Sequence, residues 1–447
     1  MSTPLARSDC RAAAVSVSSE SRRLPGSAQL RYVISFVDQA LFSFGNFLLS
    51  VGLVRVYSAE EYAGYGIALS IALTLQATQR GFTIKASLLS PEAFAGKAGG
   101  LLAAHLAIVG GALAIAVVSY CVLAALSTDH FSSDIAAATL ACIAVFFQVD
   151  VNRVFLIKRN AQSKSLLISV SIVSAYGLIV GLGYAGIATF AHSMLILAAI
   201  SIAISALLVW PGIRPRFADG LRELGRDIRT LFAWTTLGAI AAGTYMHIPL
   251  FVLGTVQPAL QAAGYVMTRN MLQPLGVIMR SLDLVDKHGF ASRAVRAEEE
   301  AKRLIVRIVL RNLLVSISIA CAIAFLAEAI LRLTYGESAA VFTPVLRLWA
   351  PVFVVMATIL PLETVLFSSG LARPYALVTS VSAVASLLAT YALVPRLAAI
   401  GAVAACLVGY SIQAIGAVAL ALWSSGRAHR SRKAKAGGHP FLAAEPN

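Results

Sequence analysis

GLLAAHLAIVGGALAIAVVSYCVLAAL, from Gly100 to Leu126, holds no charged side chain. A hydrocarbon core about 30 Å thick takes about 20 apolar residues of helix, so this run is long enough to cross a bilayer. Lys97 stands before it and Asp129 after it. Runs of the same kind recur outward from it in both directions. Together they make twelve, near residues 32–54, 62–79, 100–126, 134–152, 165–183, 189–210, 231–253, 262–282, 304–327, 345–369, 374–394 and 398–423. With 58% of 447 residues hydrophobic, 13% charged and a mean hydropathy of +0.80, too little polar surface remains for a water-soluble globule. The sequence predicts an all-α polytopic membrane protein with about 12 transmembrane helices.

The basic residues orient it. Thirty-one of the 36 Lys and Arg residues fall into alternate gaps between the runs. Arg7, Arg11, Arg22, Arg23 and Arg31 precede the first run; Arg80, Lys85 and Lys97 follow the second; Arg153, Lys158, Arg159 and Lys164 follow the fourth. Five arginines from Arg214 to Arg229 follow the sixth, eight basic residues from Arg280 to Arg311 surround the next such gap, and Arg373 and five residues from Arg427 to Lys435 complete the series. The other gaps hold only Arg55, Arg332, Arg347 and Arg396, beside Glu60, Glu61, Asp129, Asp134 and Glu337. Arg269 alone lies inside a run. Cytoplasmic loops collect Lys and Arg, so both termini are expected in the cytoplasm. The net charge of +15 is then a topological signal plus attraction to the lipid bilayer's anionic headgroups, and no nucleic-acid partner is needed to explain it.

Residues 1–30 lack an apolar core for a signal peptide, and residues 424–447 are basic and polar. Both read as mobile cytoplasmic tails. Six runs fill 31–210, a cytoplasmic linker covers 211–230, and six more runs fill 231–423. No gap between runs is much longer than about 20 residues, which leaves no room for a soluble catalytic domain. Cys10, Cys121, Cys142, Cys321 and Cys406 show no paired spacing. No metal, cofactor or catalytic residue is expected.

Six runs on each side of the linker are what a duplicated six-helix unit gives. At an offset of 200, Leu53, Val56, Ala59, Ala63, Gly64, Tyr65, Leu75 and Arg80 match Leu253, Val256, Ala259, Ala263, Gly264, Tyr265, Leu275 and Arg280. An even number of spans per unit makes the repeat parallel and places a substrate site where the halves meet near the midplane. Polar residues at helical spacing mark that seam. In the eighth run Tyr265, Arg269, Gln273, Gly276, Arg280 and Asp283 form one stripe; the second repeats it weakly through Tyr65, Gln76 and Arg80. Ser35, Asp38, Phe42, Gly45 and Asn46 share a face of the first run, and the seventh offers Thr236, Gly243 and His247. Pro249 lacks the amide that would hold the Tyr245 carbonyl, so a kink widening a central opening is expected there.

A cation at bilayer depth costs at least about 2.5 kcal/mol, so Arg269 is expected to face a watery cavity or an acid. Two readings stand: an anion-binding arginine, or one neutralised by Asp38 or by backbone carbonyls. Asp38 fits a membrane-edge position equally well, and with Asn46 and His247 it is also a candidate for cavity lining or ion coupling. Arg80 and Arg280 lie near the cytoplasmic mouth, where they orient the protein or meet a headgroup. His105 and His192 read as hydrogen-bonded interhelical side chains, as His247 does in its simplest reading, and Glu363 reads as interfacial.

Several stretches resemble one family. VRVYSAEEYAGYGIALSI, from Val54 to Ile71, is similar to the loop and second helix of bacterial polysaccharide flippases of the multidrug/oligosaccharidyl-lipid/polysaccharide exporter superfamily, with its arginine, acidic pair and Tyr-Gly element. LTYGESAAVFTPVLRLWAP from Leu333 resembles the Tyr-Gly-Glu loop before that family's tenth helix. SSGLARPY from Ser368 and LVPRLAAIGAVAA from Leu393 resemble the turns before its last two helices. The chain departs from the pattern where Ala63 precedes Gly64, and where GLGYAGIATFA from Gly181 lacks a proline.

The resemblance implies two six-helix bundles in a V that opens alternately to either side of the bacterial inner (plasma) membrane. The cargo it implies is a polyprenyl-pyrophosphate-linked oligosaccharide for cell-surface or exopolysaccharide biosynthesis, with polymerase and export proteins of a glycan pathway as candidate partners. Arginine's fork of donors suits a pyrophosphate. On this reading Arg269 is the central contact, Arg80 and Arg280 guide the headgroup, and Tyr65, Gln76, Tyr265 and Gln273 line the sugar path. Three alternatives stay open: a drug or cation exporter of the same superfamily, which calls for an acidic cavity; a membrane-embedded envelope-glycan polymerase or acyltransferase, which calls for a positioned acid, base or metal cluster; and a non-transporting scaffold. The orientation is testable by single cysteines in an otherwise cysteine-free protein. A cysteine at Arg216 should react with an impermeant maleimide only from the cytoplasmic side and one at Tyr184 only from outside; the reverse pattern refutes the charge reading.

Overall fold

A computed structural model of the chain describes residues 26–88, 91–126, 130–159, 161–211, 213–220, 222, 231–273, 275, 279, 298–368 and 371–436. They form helices α1 (Gly26–Val56), α2 (Ala59–Leu88), α3 (Pro91–Leu126), α4 (His130–Lys158), α5 (Gln162–Tyr184) and α6 (Phe190–Leu208). Then come α7 (Leu231–Val256), α8 (Ala259–Asn270), α9 (Glu298–Tyr335), a 3₁₀ turn (Glu337–Phe342) and α10 (Thr343–Ser368). The last helical run, Ala372–Ala436, doubles back at Ala398, which has φ 48°. Its arms are α11 (372–397) and α12 (399–436), an antiparallel pair joined by Ser386 Oγ donating to the Ala405 carbonyl at 2.8 Å and Gln413 Nε2 donating to Tyr375 at 2.8 Å.

Eleven of the twelve apolar runs fall largely on these helices and the eighth does so only as far as Asn270; the protein is an all-α polytopic membrane protein. Nine stretches among the described residues are long and apolar enough to cross a bilayer, and one of them, Ala372–Trp423, contains both α11 and α12. Neither α2 nor α8 is among the nine. α8, with 12 residues, is too short to be counted, and both helices pack against protein in the seam.

In the first half α1 packs on α5, α2 and α3 on α4, and α4 on α6; in the second, α7 packs on the α11–α12 pair and α8 and α9 on α10. The halves meet where α2 lies against α7 and α8. Helix ends repeat at the offset of 200: Val56 and Val256 close α1 and α7, and Ala59 and Ala259 open α2 and α8. The Tyr57 and Gln257 amides extend the preceding helices to the carbonyls of Leu53 and Leu253 at 2.9 and 3.0 Å. Gly66 and Val266 touch each other across the seam, as two equivalent positions do beside a two-fold axis. Ser58 and Glu61 close a capping box at the start of α2, each side chain taking the other's amide, whereas Pro258 stands at that place before α8. Between α5 and α6, Gly186 (φ 67°) ends the helix in a Schellman turn, with its amide on Gly183 and that of Ile187 on Leu182.

Four expectations change. The eighth run is interrupted: α8 ends at Asn270, a turn follows at Met271 and Leu272, and Gln273, Leu275 and Met279 are again helical. A proline at 274 has no amide to offer the Asn270 carbonyl, which favours an interruption one turn earlier. The stripe from Tyr265 to Asp283 crosses that turn, and its Gly276, Arg280 and Asp283 lie outside the described residues. At Pro249 α7 runs on as helix, and the freed Tyr245 carbonyl accepts Cys406 Sγ of α12 at 3.3 Å, so packing occupies the place where an opening was expected. The linker is docked, with the Arg216 amide on the Gly99 carbonyl of α3 at 2.9 Å. Finally, helix reaches back to Gly26 and on to Ala436, inside both stretches read as tails; Ala, Arg and Lys are strong helix formers.

A β-carbon at Gly264 would land on the Phe342 ring, whereas one at Gly111 meets nothing within 4 Å. Gly264→Ala should cost roughly 1–3 kcal/mol through overpacking. The expected result is a lowered thermal midpoint in detergent for Gly264→Ala and an unchanged one for Gly111→Ala.

Candidate functional site

Arg269 sits in the last turn of α8, 6% exposed, where α8 crosses α2 and α7. Its Nη1 donates to Ser70 Oγ of α2 at 3.1 Å and reaches His247 Nδ1 of α7 at 3.4 Å. A guanidinium has only donors, so Nδ1 accepts and the ring proton belongs on Nε2. The Tyr265 ring lies 5.9 Å from the guanidinium carbon, one turn back along α8. Nη2 is buried with no partner. Among the described residues no carboxylate pairs with Arg269; the ion pairs there are Arg153 with Asp38 and Arg332 with Glu328 and Glu337. The seam thus carries a buried positive charge held only by neutral groups.

Next to it, Asn270 Nδ2 donates to Ser50 Oγ at 2.9 Å and to Tyr62 at 3.3 Å, while Asn270 Oδ1 accepts from Gln273 at 2.9 Å. Tyr335 of α9 joins this group through Ser50 at 3.3 Å. Arg55 at the end of α1 donates to the Thr334 and Leu333 carbonyls at 2.9 and 3.3 Å, satisfying the open C-terminus of α9. All these bonds join one half to the other or prepare a residue that does.

The residues singled out in the sequence divide into two groups. Arg269, His247 and Tyr265 meet, and Gln273 touches them through Asn270. Tyr65 is instead inside the first half, lining a small apolar cavity with Cys142, Phe146 and Tyr176. Gln76 donates to the Phe146 carbonyl at 3.0 Å, and Asn46 accepts from Tyr176 at 2.7 Å. Arg80 lies on α2, its side chain outside the described set, and Arg280 lies outside the described residues altogether.

Asp38 pairs with Arg153 and not with Arg269. It is 2% exposed and accepts from Arg153 Nε at 2.8 Å, Ser165 at 2.9 Å and Ser169 at 2.5 Å. Arg153, read from the sequence as an orientation charge, is that internal partner, and its guanidinium also covers the Phe42 ring at 4.9 Å. The helical signal was available: α4 continues to Lys158, more than a turn beyond Arg153. Ser70 and Asn270 were missed altogether, because a lone Ser or Asn in a span carries no pattern.

No protein-family model matches the chain, and no curated protein matches it in sequence. Solved structures share its fold. The lipid II flippase MurJ in an inward closed conformation superposes with a TM-score of 0.66 at 13% identity, over 87% of this chain and 86% of that one. An inward-facing multidrug resistance MATE family transporter of the MOP superfamily gives 0.63 at 14% identity, over 88% and 96%. A MOP superfamily transporter from Pyrococcus furiosus, reported for the reverse polarity of its binding pocket, gives 0.56 at 13%, over 89% and 95%. These structures show a shared fold at low sequence identity.

Removing Arg153 strands a buried carboxylate among two hydroxyls, a change of the kind that costs about 3–5 kcal/mol. Arg153→Ala should lower the thermal midpoint steeply, and Asp38→Asn added to it should recover part of the loss. Full stability of the single variant would mean that the pair contributes nothing.

Proposed function

We propose that this protein is a membrane transporter whose cargo carries a phosphate-type anion, and that the cargo is a polyprenyl-pyrophosphate-linked oligosaccharide moved between leaflets. One observation carries the reading: Arg269 is buried between the halves, and among the described residues it has no counter-charge and its Nη2 makes no hydrogen bond. A cation kept at that depth without an acid is costly unless an anion completes it. The fold adds support, since transporters share it at low identity.

No bond of the cargo is made or broken. Arg269 binds the anion, Ser70, Asn270 and Tyr62 offer neutral polar groups beside it, and the lipid tail stays in the bilayer. Arg80 and Arg280 are assigned to guiding the headgroup at the cytoplasmic mouth. The exporter of cationic drugs is the second reading, because a MATE transporter superposes nearly as well as MurJ. It needs a free acid, and Asp38, the buried acid of α1, is already surrounded by donors.

Leaflet translocation of a polyprenyl-pyrophosphate oligosaccharide in proteoliposomes tests this. Arg269→Ala at matched insertion should slow transport at least about tenfold, as loss of a desolvated charge-assisted contact does, and Arg269→Lys should recover only part because it lacks the fork. Wild-type export of a cationic dye without movement of the lipid overturns the proposal.

A further inference from the structure

The way Arg269 is held decides how an anion meets it. Nη1 is engaged on two sides, by Ser70 at 3.1 Å and His247 at 3.4 Å, while Nη2 has no partner and no hydrogen bond from Nε is formed among the described residues. A phosphate accepts two parallel N–H bonds in the plane of a guanidinium, and the Nε–Nη2 edge is one of the two edges that supply such a pair. That edge makes no hydrogen bond among the described residues and is buried in this arrangement, so an anion reaches it only when the surrounding side chains part, and the opposite nitrogen is held. Tyr265 limits the guanidinium on one face.

Ser70 belongs to α2 of the first half and Arg269 to α8 of the second, whereas His247 lies on α7, in the same half as Arg269. Their equivalents in the repeat, Asn270 for Ser70 and Leu69 for Arg269, do not reproduce the pair, so the arrangement exists once. We infer that Ser70 and His247 are positioning residues that present the Nε–Nη2 edge of Arg269 to a pair of phosphate oxygens, and that the anion therefore binds most tightly when the two halves are in contact. The inference rests on the anion-site reading given above. It adds that the occluded arrangement is the high-affinity one, and that anion binding draws α2 and α8 together.

Binding of farnesyl pyrophosphate to the purified full-length protein, with hydrogen exchange read over 62–74 and 259–270, separates the possibilities. In the wild type the ligand should slow exchange in both segments. Ser70→Ala should bind at least about tenfold more weakly and lose that protection, as expected for one hydrogen bond to a charged group. Ser70→Thr, which keeps the hydroxyl, should restore both, and His247→Ala should weaken binding while keeping the protection of α2. If Ser70→Ala binds equally or more tightly while the wild type binds, the positioning role is wrong and the anion site survives. If the wild type does not bind at all, the anion reading itself falls and takes this inference with it. Should Ser70→Ala not fold, Ser70→Cys with the same two readouts decides between these outcomes.

Discussion

In hydrocarbon a polar group has no water to turn to, and each group placed there must find its partner within the protein. That constraint explains the helices and also most of the side-chain bonds between them. Thr74, Thr139, Thr268, Thr379 and Thr390 return their hydroxyls to carbonyls one turn back. The carbonyl that Pro249 releases is taken by a cysteine from α12, and the acid of α1 is surrounded by an arginine and two serines. Ten buried side-chain atoms make no hydrogen bond among the described residues, and Arg269 Nη2 is the one that belongs to a charged group. The functional reading depends on that charge.

The repeat gives the seam its geometry but not its chemistry. Equal helix ends 200 residues apart bring α2 and α8 together around Gly66 and Val266, where the absence of a side chain on one helix admits a branched one on the other. The residues around that contact are unlike. Arg269 faces a serine, and its own equivalent is Leu69, so charge enters from one half only. A single cation near a two-fold axis meets both halves while belonging to one, which lets one bound anion report on their separation.

Much of the architecture was legible in the chain. Twelve apolar runs, their alternation with basic gaps and the 200-residue offset follow from the thickness of the bilayer and from where basic residues settle, and these act on composition. Helix ends were less so: α8 gives way to a turn at Met271, and the last helix extends through 424–436, where alanines, arginines and lysines favour helix. Asp38 was recognised as polar in a span, but its partner was sought on the wrong helix.

The sequence by itself determined that the chain is an all-α polytopic membrane protein, that its apolar runs number six on each side of a basic stretch, and that Arg269 lies within one of those runs. Each of these is a property of residues counted along one strand of sequence. Only the tertiary structure decided that Arg153 rather than Arg269 neutralises Asp38, that Tyr65 and Gln76 turn into the first half, and that Ser70 and His247 hold one nitrogen of Arg269 while leaving another bare. The physical reason is range. Burial in lipid acts on every residue of a run at once, whereas a hydrogen bond acts within about 3 Å and joins residues from helices that the sequence holds far apart.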